Sequence, residues 1–217
     1  MKNSLIEERR QVTYDWHLAQ VIKWLKHDNG RELDSVLVYS SVDLRIAIER
    51  YFFELLLLLK HNNLTAEEQS RCSSKEGILD LVKETEPVYV KRAKFTNLIA
   101  AVTPDFPRVT IVDFRYLINR WHTLSGYCHK QLKPKESFDS ENRGFQKKGF
   151  RVIKETVDYF MELERSRVFG LIDPKSMPLE TKNVYDKYIK DEIDEEKAKG
   201  MLKIMEPVLS ERLIRSL

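Results

Sequence analysis

Arginine and histidine side chains recur between Asp113 and Pro134 at a spacing that places them on one side of a helix. Arg115, His122 and His129 follow one another at intervals of about two helical turns. A histidine titrates near neutral pH, and an arginine holds a phosphate through paired hydrogen bonds. This set could therefore exchange protons with a phosphate ester. The other interpretation is that both histidines only border a hydrophobic core.

A metal site and a hydrolase-type nucleophile are other kinds of chemistry that this stretch could carry. One ion would have to bridge about 10.5 Å between His122 and His129, and the chain has no Glu-x-x-His motif. Ser125 and His129 have usable i, i+4 spacing, but no acid is placed to orient the histidine. We therefore predict no metal site. Without a P-loop or a glycine-rich dinucleotide fingerprint, we also predict no cofactor.

The segment from Lys130 to Arg151 is basic, since seven cationic side chains oppose three acidic ones. Phe145 and Phe150 are interleaved with these charges, an arrangement that suits RNA or another polyanion. The alternative is that these lysines are solvated loop residues. The candidate RNA- or anion-binding residues are Lys130, Lys133, Arg143, Lys147 and Lys148.

An amphipathic helix is predicted to carry Arg115 and both histidines, because apolar positions recur at i, i+3, i+4 and i+7. Thr110 and Asp113 form a capping-box-like start, and Pro134 marks the stop. Gly126 inside this helix costs about 1 kcal/mol relative to alanine. We therefore expect either the close approach of a neighbouring helix there, or room for a ligand or a partner chain.

A second long helix is predicted to begin at Ser40 as its N-cap. Arg45 with Glu49 and Arg50 with Glu54 form i, i+4 pairs along it. Leucine and phenylalanine fill the remaining circumference, so this helix is expected at the centre of a bundle. Its charges are either an internal polar site or ion pairs at the edge of a buried helix.

The remaining periodicity predicts an all-α, multi-helix bundle with a helical C-terminal extension. Pro87 is expected to open one helix, and a long helix is expected from Gly144. Two prolines within 171–178 mark the clearest break in the chain. The predicted domains are a helical bundle at 1–170 and the helical extension at 171–217.

Composition narrows the class of protein. The formal charge of +3 on 217 residues is too small to imply a nucleic-acid partner from bulk charge alone, and no DNA sequence reader is evident. The most apolar window is far shorter than the roughly 20 residues that span a bilayer. Cys72 and Cys128 form no CxxC motif, and the N-terminus has no apolar signal region. These features predict a cytoplasmic protein without a membrane partner.

The Arg-x6-His spacing of Arg115 and His122, in a helical chain of this size, resembles the HEPN domains of prokaryotic defence and toxin systems. The stretch LSGYCHKQLKP also looks like the histidine-bearing helix of bacterial proteins grouped with that superfamily, and the resemblance covers about 40–163. It implies a metal-independent endoribonuclease whose site forms across a dimer. Arg115 would contact the scissile phosphate, and His122 would assist the RNA 2′-hydroxyl or the leaving group. Arg10 and His17 have the same spacing.

Three functions follow from these patterns. The first is a non-enzymatic bacterial interaction module, a homodimer through an apolar helix face with an RNA or protein partner. The second is the HEPN-type endoribonuclease. The third is a small-molecule sensor with a pocket around Trp121 and Gly126.

Overall fold

The computed structural model of the chain describes residues 13–60, 63–103, 106, 108–128, 144–165, 171–207 and 209. Over these ranges the chain forms eight α-helices and no strand, which confirms the predicted all-α, multi-helix fold. None of these helices combines the length and apolar character needed to cross a membrane. The helices are α1 (Tyr14–Asp28), α2 (Asp34–Leu59), α3 (Ala66–Cys72), α4 (Lys75–Val102), α5 (Phe114–Cys128), α6 (Gly144–Arg165), α7 (Leu179–Ile189) and α8 (Glu195–Ile204).

The chain divides into two compact units, and each unit draws on two separate stretches of sequence. The first unit comprises Met1–Val82 and Asp113–Met161, and the second comprises Lys83–Val112 and Glu162–Leu217. The predicted C-terminal extension at 171–217 therefore belongs to the same unit as part of α4. The predicted division of the chain into domains stays a prediction.

The central helix of the first unit is α2, as its apolar circumference predicted. Tyr51 packs edge-on against Tyr14 of α1 at 5.2 Å and against Phe160 of α6 at 5.4 Å between ring centroids. Phe52 stacks on Phe114 of α5 at 5.9 Å. Two adjacent residues of α2 thus bury their rings against three different helices, and each ring contributes a large buried area.

The predicted start of this central helix at Ser40 is wrong. The helix begins at Asp34, so Ser40 and Ser41 lie inside it and are fully buried. Val36 and Leu37 precede them in the helix and are also fully buried. Burying these two apolar side chains contributes about 1.5–3 kcal/mol each. This exceeds the roughly 1 kcal/mol of an N-cap, which explains why packing extends the helix past the capping signal.

Pro87 does not open a helix, contrary to the prediction. It is an exposed residue within α4, which continues unbroken from Lys75 to Val102. A proline inside a helix removes one backbone hydrogen bond and crowds the preceding turn. Buried residues on both sides of it, such as Val82 and Tyr89, tie the helix to hydrophobic cores and outweigh this local cost.

The second unit has a hydrophobic core of its own. Phe95 and Ile99 of α4 lie in it together with Val184 of α7 and Leu202 of α8. The segment before α5 is attached to α4 by side-chain hydrogen bonds to its backbone. In particular, the Asn97 amide donates to the Val109 carbonyl at 2.9 Å and accepts from its N–H at 2.7 Å.

Two glycines of the first unit have opposite surroundings. A Cβ atom added to Gly149 of α6 would lie 2.6 Å from Leu37 Cδ1 and 3.0 Å from Tyr127 Cε1. A Cβ atom added to Gly126 would meet no atom within 4 Å. The close helix approach predicted at Gly126 is therefore wrong, and such an approach occurs at Gly149 instead.

These surroundings predict opposite effects of two alanine substitutions. Gly126→Ala should stabilise the fold by up to about 1 kcal/mol, because alanine is the better helix former and has room. Gly149→Ala should destabilise it by about 1–3 kcal/mol, because Leu37 and Tyr127 are themselves buried and cannot move freely. Urea unfolding of both variants measures the two changes. Equal stability of the two variants would contradict the packing described at Gly149.

Glu54 of α2 bonds to the first turn of α1 instead of forming the predicted ion pair with Arg50. The Tyr14 backbone N–H donates to Glu54 Oε1 at 3.0 Å. Burial raises the pKa of Glu54, while this hydrogen bond and the longer-range charge of Arg50 lower it less strongly. The folded state therefore disfavours the ionised carboxylate despite its hydrogen bond.

This pKa shift predicts how stability depends on pH. A carboxyl group whose pKa is higher in the folded than in the unfolded state stabilises most when protonated. Its contribution is lost as pH rises through the folded-state pKa. We expect Glu54→Gln to become more stable relative to the native chain as pH rises from about 4 towards neutral. Denaturant unfolding at several pH values tests this, with the exposed Glu67→Gln as the matched control. A difference that does not change with pH would contradict the expectation.

Candidate functional site

Arg115 and His122 both lie on the exposed side of α5. The helix begins at Phe114, and the Asp113 carboxylate accepts the Tyr116 N–H at 2.8 Å, so Asp113 is itself the N-cap and the predicted capping box with Thr110 is wrong. Two helical turns, about 10.5 Å along the axis, separate the two residues. His122 contacts the ring of its neighbour Trp121 edge-on at 4.9 Å. Neither Arg115 nor His122 has a hydrogen bond or ion pair with another described residue that would orient it.

The predicted candidates His129, Lys130, Lys133 and Arg143 lie outside the described residues, as does Pro134. Of the candidate anion-binding residues, Lys147 and Lys148 are described, and both are exposed on α6. The structure therefore shows only part of the predicted site.

The buried side of α5 forms a polar cluster with α2. The Trp121 indole N–H donates to Glu49 Oε1 at 2.7 Å, and Arg45 Nε lies 3.5 Å from the same oxygen. The Arg45 guanidinium carbon lies 5.5 Å from the Trp121 ring centroid, within the range of a cation–π contact. The side chains of Arg45 and Glu49 are 25% and 23% exposed. The predicted i, i+4 pair therefore exists, and it also binds a neighbouring helix.

Ser125 and Cys128 lie near this cluster without the geometry of a nucleophile. Ser125 Oγ donates to the Trp121 carbonyl at 2.9 Å, a bond within its own helix. Burial raises the pKa of the Cys128 thiol, and the nearby Glu49 raises it further, while Arg45 lowers it. The thiol is accordingly protonated at neutral pH and is a weak nucleophile.

A second histidine site, which the sequence analysis did not find, joins α1 to α2. Asp43 places one carboxylate oxygen 3.0 Å from His17 Nδ1 and accepts the Trp24 indole N–H on the other at 3.1 Å. The His17 side chain is only 12% exposed. In the sequence, the spacing of Arg10 and His17 is the only pattern that points to His17, and no pattern pairs Asp43 with a residue of another helix. Exposed apolar side chains border this site, namely Trp16, Tyr39 and Val42.

The first three turns of α6 form a basic face. Its members are exposed and have the spacing of neighbouring turns: Lys147, Lys148, Arg151 and Lys154. No acidic residue occurs before Glu155, and Arg151 approaches that carboxylate only to 3.9 Å. Glu155 is already bonded to Arg120 of α5 at 2.6 Å. Sequence reasoning missed Lys154, although its distance of seven residues from Lys147 places both on one side of the helix.

The second unit contains an open cavity of about 530 Å³. Lys91 on its wall is held by the Ile189 carbonyl at 3.0 Å and by Asp191 at 2.6 Å. Trp121, around which the sequence predicts a pocket together with Gly126, is packed and only 5% exposed. The small-molecule sensor stays a prediction.

The cluster of Arg45, Glu49 and Trp121 predicts that the Trp121 indole is a structural hydrogen-bond donor. Trp121→Phe should destabilise the chain by about 1–3 kcal/mol, since it removes a hydrogen bond to a charged group. Trp16→Phe is the matched control, because the Trp16 side chain is 49% exposed and should tolerate the change within about 0.5 kcal/mol. Thermal unfolding of both variants measures the difference. If the two variants unfold alike, the indole–carboxylate bond does not stabilise the fold.

Comparison with protein-family models, with curated proteins and with solved structures finds no match to this chain.

Proposed function

We propose that this protein is a non-enzymatic interaction module that binds a polyanionic partner, in the first instance single-stranded RNA, through the basic face of α6. The observation that carries this proposal is the charge distribution along that helix. Four cations and no acid occupy its first three turns, whereas Glu155 and Asp158 begin an acidic half. A polyanion laid along the first turns would meet all four charges at once.

The position of these cations also supports binding. The amino end of a helix carries a partial positive charge, so cations there are unfavourable and anions are favourable. Lys147 and Lys148, at the end of the first turn, have no ion pair with a described residue that would offset this cost. An anionic partner would offset it. Phe145, half-buried against Tyr127 at 4.8 Å between ring centroids, is the aromatic residue in the first turns of α6 that could still stack on a base, because Phe150 is buried.

The proposal includes a cytoplasmic location and a homodimer. A partner such as RNA is met inside the cell, and both cysteines are free thiols, which suits a reducing compartment. The exposed Trp16, Tyr39 and Val42 offer an apolar surface to a second copy of the chain or to a protein partner. A role in bacterial defence or toxin systems rests on the HEPN resemblance alone.

The second candidate function is a HEPN-type, metal-independent endoribonuclease. One observation favours it, namely that Arg115 and His122 share the exposed side of α5 and are accessible to RNA. No described residue orients His122, which favours binding over catalysis within one copy, because a catalytic histidine is held by such a group. A site completed by a second copy, as the resemblance implies, would supply it from the dimer.

The proposal predicts the effect of reversing two charges. Lys147→Glu with Lys148→Glu should weaken binding of a fluorescent single-stranded RNA, measured by anisotropy across a salt series. Two lost phosphate contacts should make the slope of log Kd against log salt shallower by about 1.4. The matched control is Lys197→Glu with Lys199→Glu, the same charge change at exposed positions of α8. Native-like binding by the first variant, or equal loss by the control, would refute the assignment to α6.

The same RNA, incubated with the protein in EDTA, separates the two functions. Intact RNA that is bound but not cut supports the module. Cleavage that disappears in both Arg115→Ala and His122→Ala, with the fold retained, supports the endoribonuclease, and that enzyme must also elute as a dimer on a sizing column.

A further inference from the structure

Arg92 of α4 is a buried cation without a counter-ion in the described part of the chain. It is 7% exposed, and its Nε has no hydrogen-bond partner. No described carboxylate lies within ion-pair distance of its guanidinium. The Thr96 hydroxyl donates to the backbone carbonyl of Arg92 at 3.0 Å and not to its guanidinium.

An unpaired arginine in the interior is energetically unfavourable. A buried lysine or histidine can release its proton, but a guanidinium stays charged at any pH that a protein tolerates. Removing such an ion from water costs several kcal/mol unless an opposite charge and hydrogen bonds compensate it. The position of Arg92 therefore calls for an anion.

Two segments of the second unit pack against this part of α4. The Ile172 N–H approaches the Thr96 hydroxyl at 3.4 Å, one turn after Arg92. Tyr185 of α7 packs edge-on against Phe95 at 5.2 Å between ring centroids. Burial raises the pKa of Tyr185, and the charge of Arg92 acts in the opposite direction, which places the guanidinium within electrostatic reach of the phenol.

Besides Asp186, which is partly exposed and forms no ion pair with Arg92, Asp173 is the internal carboxylate to consider as a counter-ion, since its charge also acts on Tyr185. Its Oδ1 atom instead accepts the Lys175 backbone N–H at 2.9 Å. No ion pair joins Asp173 to Arg92. The guanidinium and the phenolic hydroxyl are thus two hydrogen-bond donors in one region, and no described acceptor is bonded to the first.

We propose that Arg92, with the hydroxyl of Tyr185, binds a small oxyanion, either a carboxylate or a phosphate, that supplies the missing counter-charge. The planar guanidinium matches both groups through two parallel hydrogen bonds. The remaining 7% exposure leaves access for a small ion but no large contact surface. This site lies in the second unit and does not depend on the proposed binding of RNA by α6.

The experiment compares the native chain with Arg92→Met, in which an uncharged side chain of similar length replaces the arginine. Inorganic phosphate and acetate are titrated separately at constant ionic strength, and both melting temperature and binding heat are recorded. Arg108→Met, at an exposed arginine of the same unit, is the matched control. Tyr185→Phe tests the second donor, and a response to only one titrant identifies the class of oxyanion.

We expect a saturable rise of several degrees in the native melting temperature with one of the anions. Arg92→Met should bind it at least about tenfold more weakly, whereas Arg108→Met should bind like the native chain. Without added anion, Arg92→Met should be at least as stable as the native chain, because it removes an uncompensated charge.

Two results would overturn the proposal. One is the absence of a saturable response of the native chain to either anion, a result that does not depend on any variant folding. The other is a loss of stability in both Arg92→Met and Asp173→Asn without added anion, which would assign the counter-charge to Asp173.

Discussion

The hydrogen bonds made by three acidic residues of α2 are the constraint on which the first unit depends. Asp43 binds His17 and Trp24 of α1, Glu54 binds the first N–H of α1, and Glu49 binds the Trp121 indole of α5. Asp43 and Glu54 are eleven residues apart, so at about 100° per residue they point in nearly the same direction, towards α1. Glu49 points away from both, towards α5. A carboxylate half removed from water must find donors, and each donor here comes from a different place on a neighbouring helix. Hydrogen bonds are directional and apolar packing is much less so. These bonds therefore help to fix how α1 and α5 are oriented against α2.

The same constraint explains why α5 has two unlike sides. Its inner side contributes Trp121 to Glu49, so the polar atoms found there stabilise the fold and are not available for chemistry. Its outer side presents Arg115 and His122 to solvent without an orienting partner among the described residues. Catalytic histidines are held by a second group that sets their tautomer and direction. His17 has such a group in Asp43, but its side chain is nearly buried and serves the contact between α1 and α2. Of these two histidines, the oriented one is nearly buried and the accessible one has no orienting group among the described residues, which supports the proposed binding role.

In the second unit, two neighbouring cations of α4 differ in whether an opposite charge compensates them. Lys91 is compensated by Asp191 and by a carbonyl oxygen, whereas Arg92, the next residue of α4, is more deeply buried and has no acceptor. Neighbouring positions on a helix point about 100° apart, so one cation reaches the rim of the cavity and the other enters the interior. Tyr89 and Asn97 of the same helix hold the segment before α5 through hydrogen bonds, Tyr89 with Val112 and Asn97 with Val109. The Arg92 guanidinium has no acceptor in the described part of the chain, and it is the place where an anionic ligand would complete the proposed site.

Periodicity in the sequence was sufficient to determine the all-α class, the central role of α2, the helix from Gly144 and the break at 171–178, because each depends on apolar spacing along one element. A helix start near Asp113 was also predictable, since capping is local, but the capping residue is Asp113 itself and not the predicted Thr110. The sequence did not determine the start of α2, the path of α4 through Pro87, or which glycine lies at a close helix contact. Those outcomes depend on burial against other helices, which outweighs local preferences of about 1 kcal/mol.

Three contacts were decided only by the tertiary structure. Asp43 pairs with His17, Glu54 accepts a hydrogen bond from Tyr14 instead of pairing with Arg50, and Arg92 has no counter-ion in the described part of the chain. Each of these contacts depends on which residue of another helix lies opposite, and spacing along one helix carries no information about the residues on its neighbours.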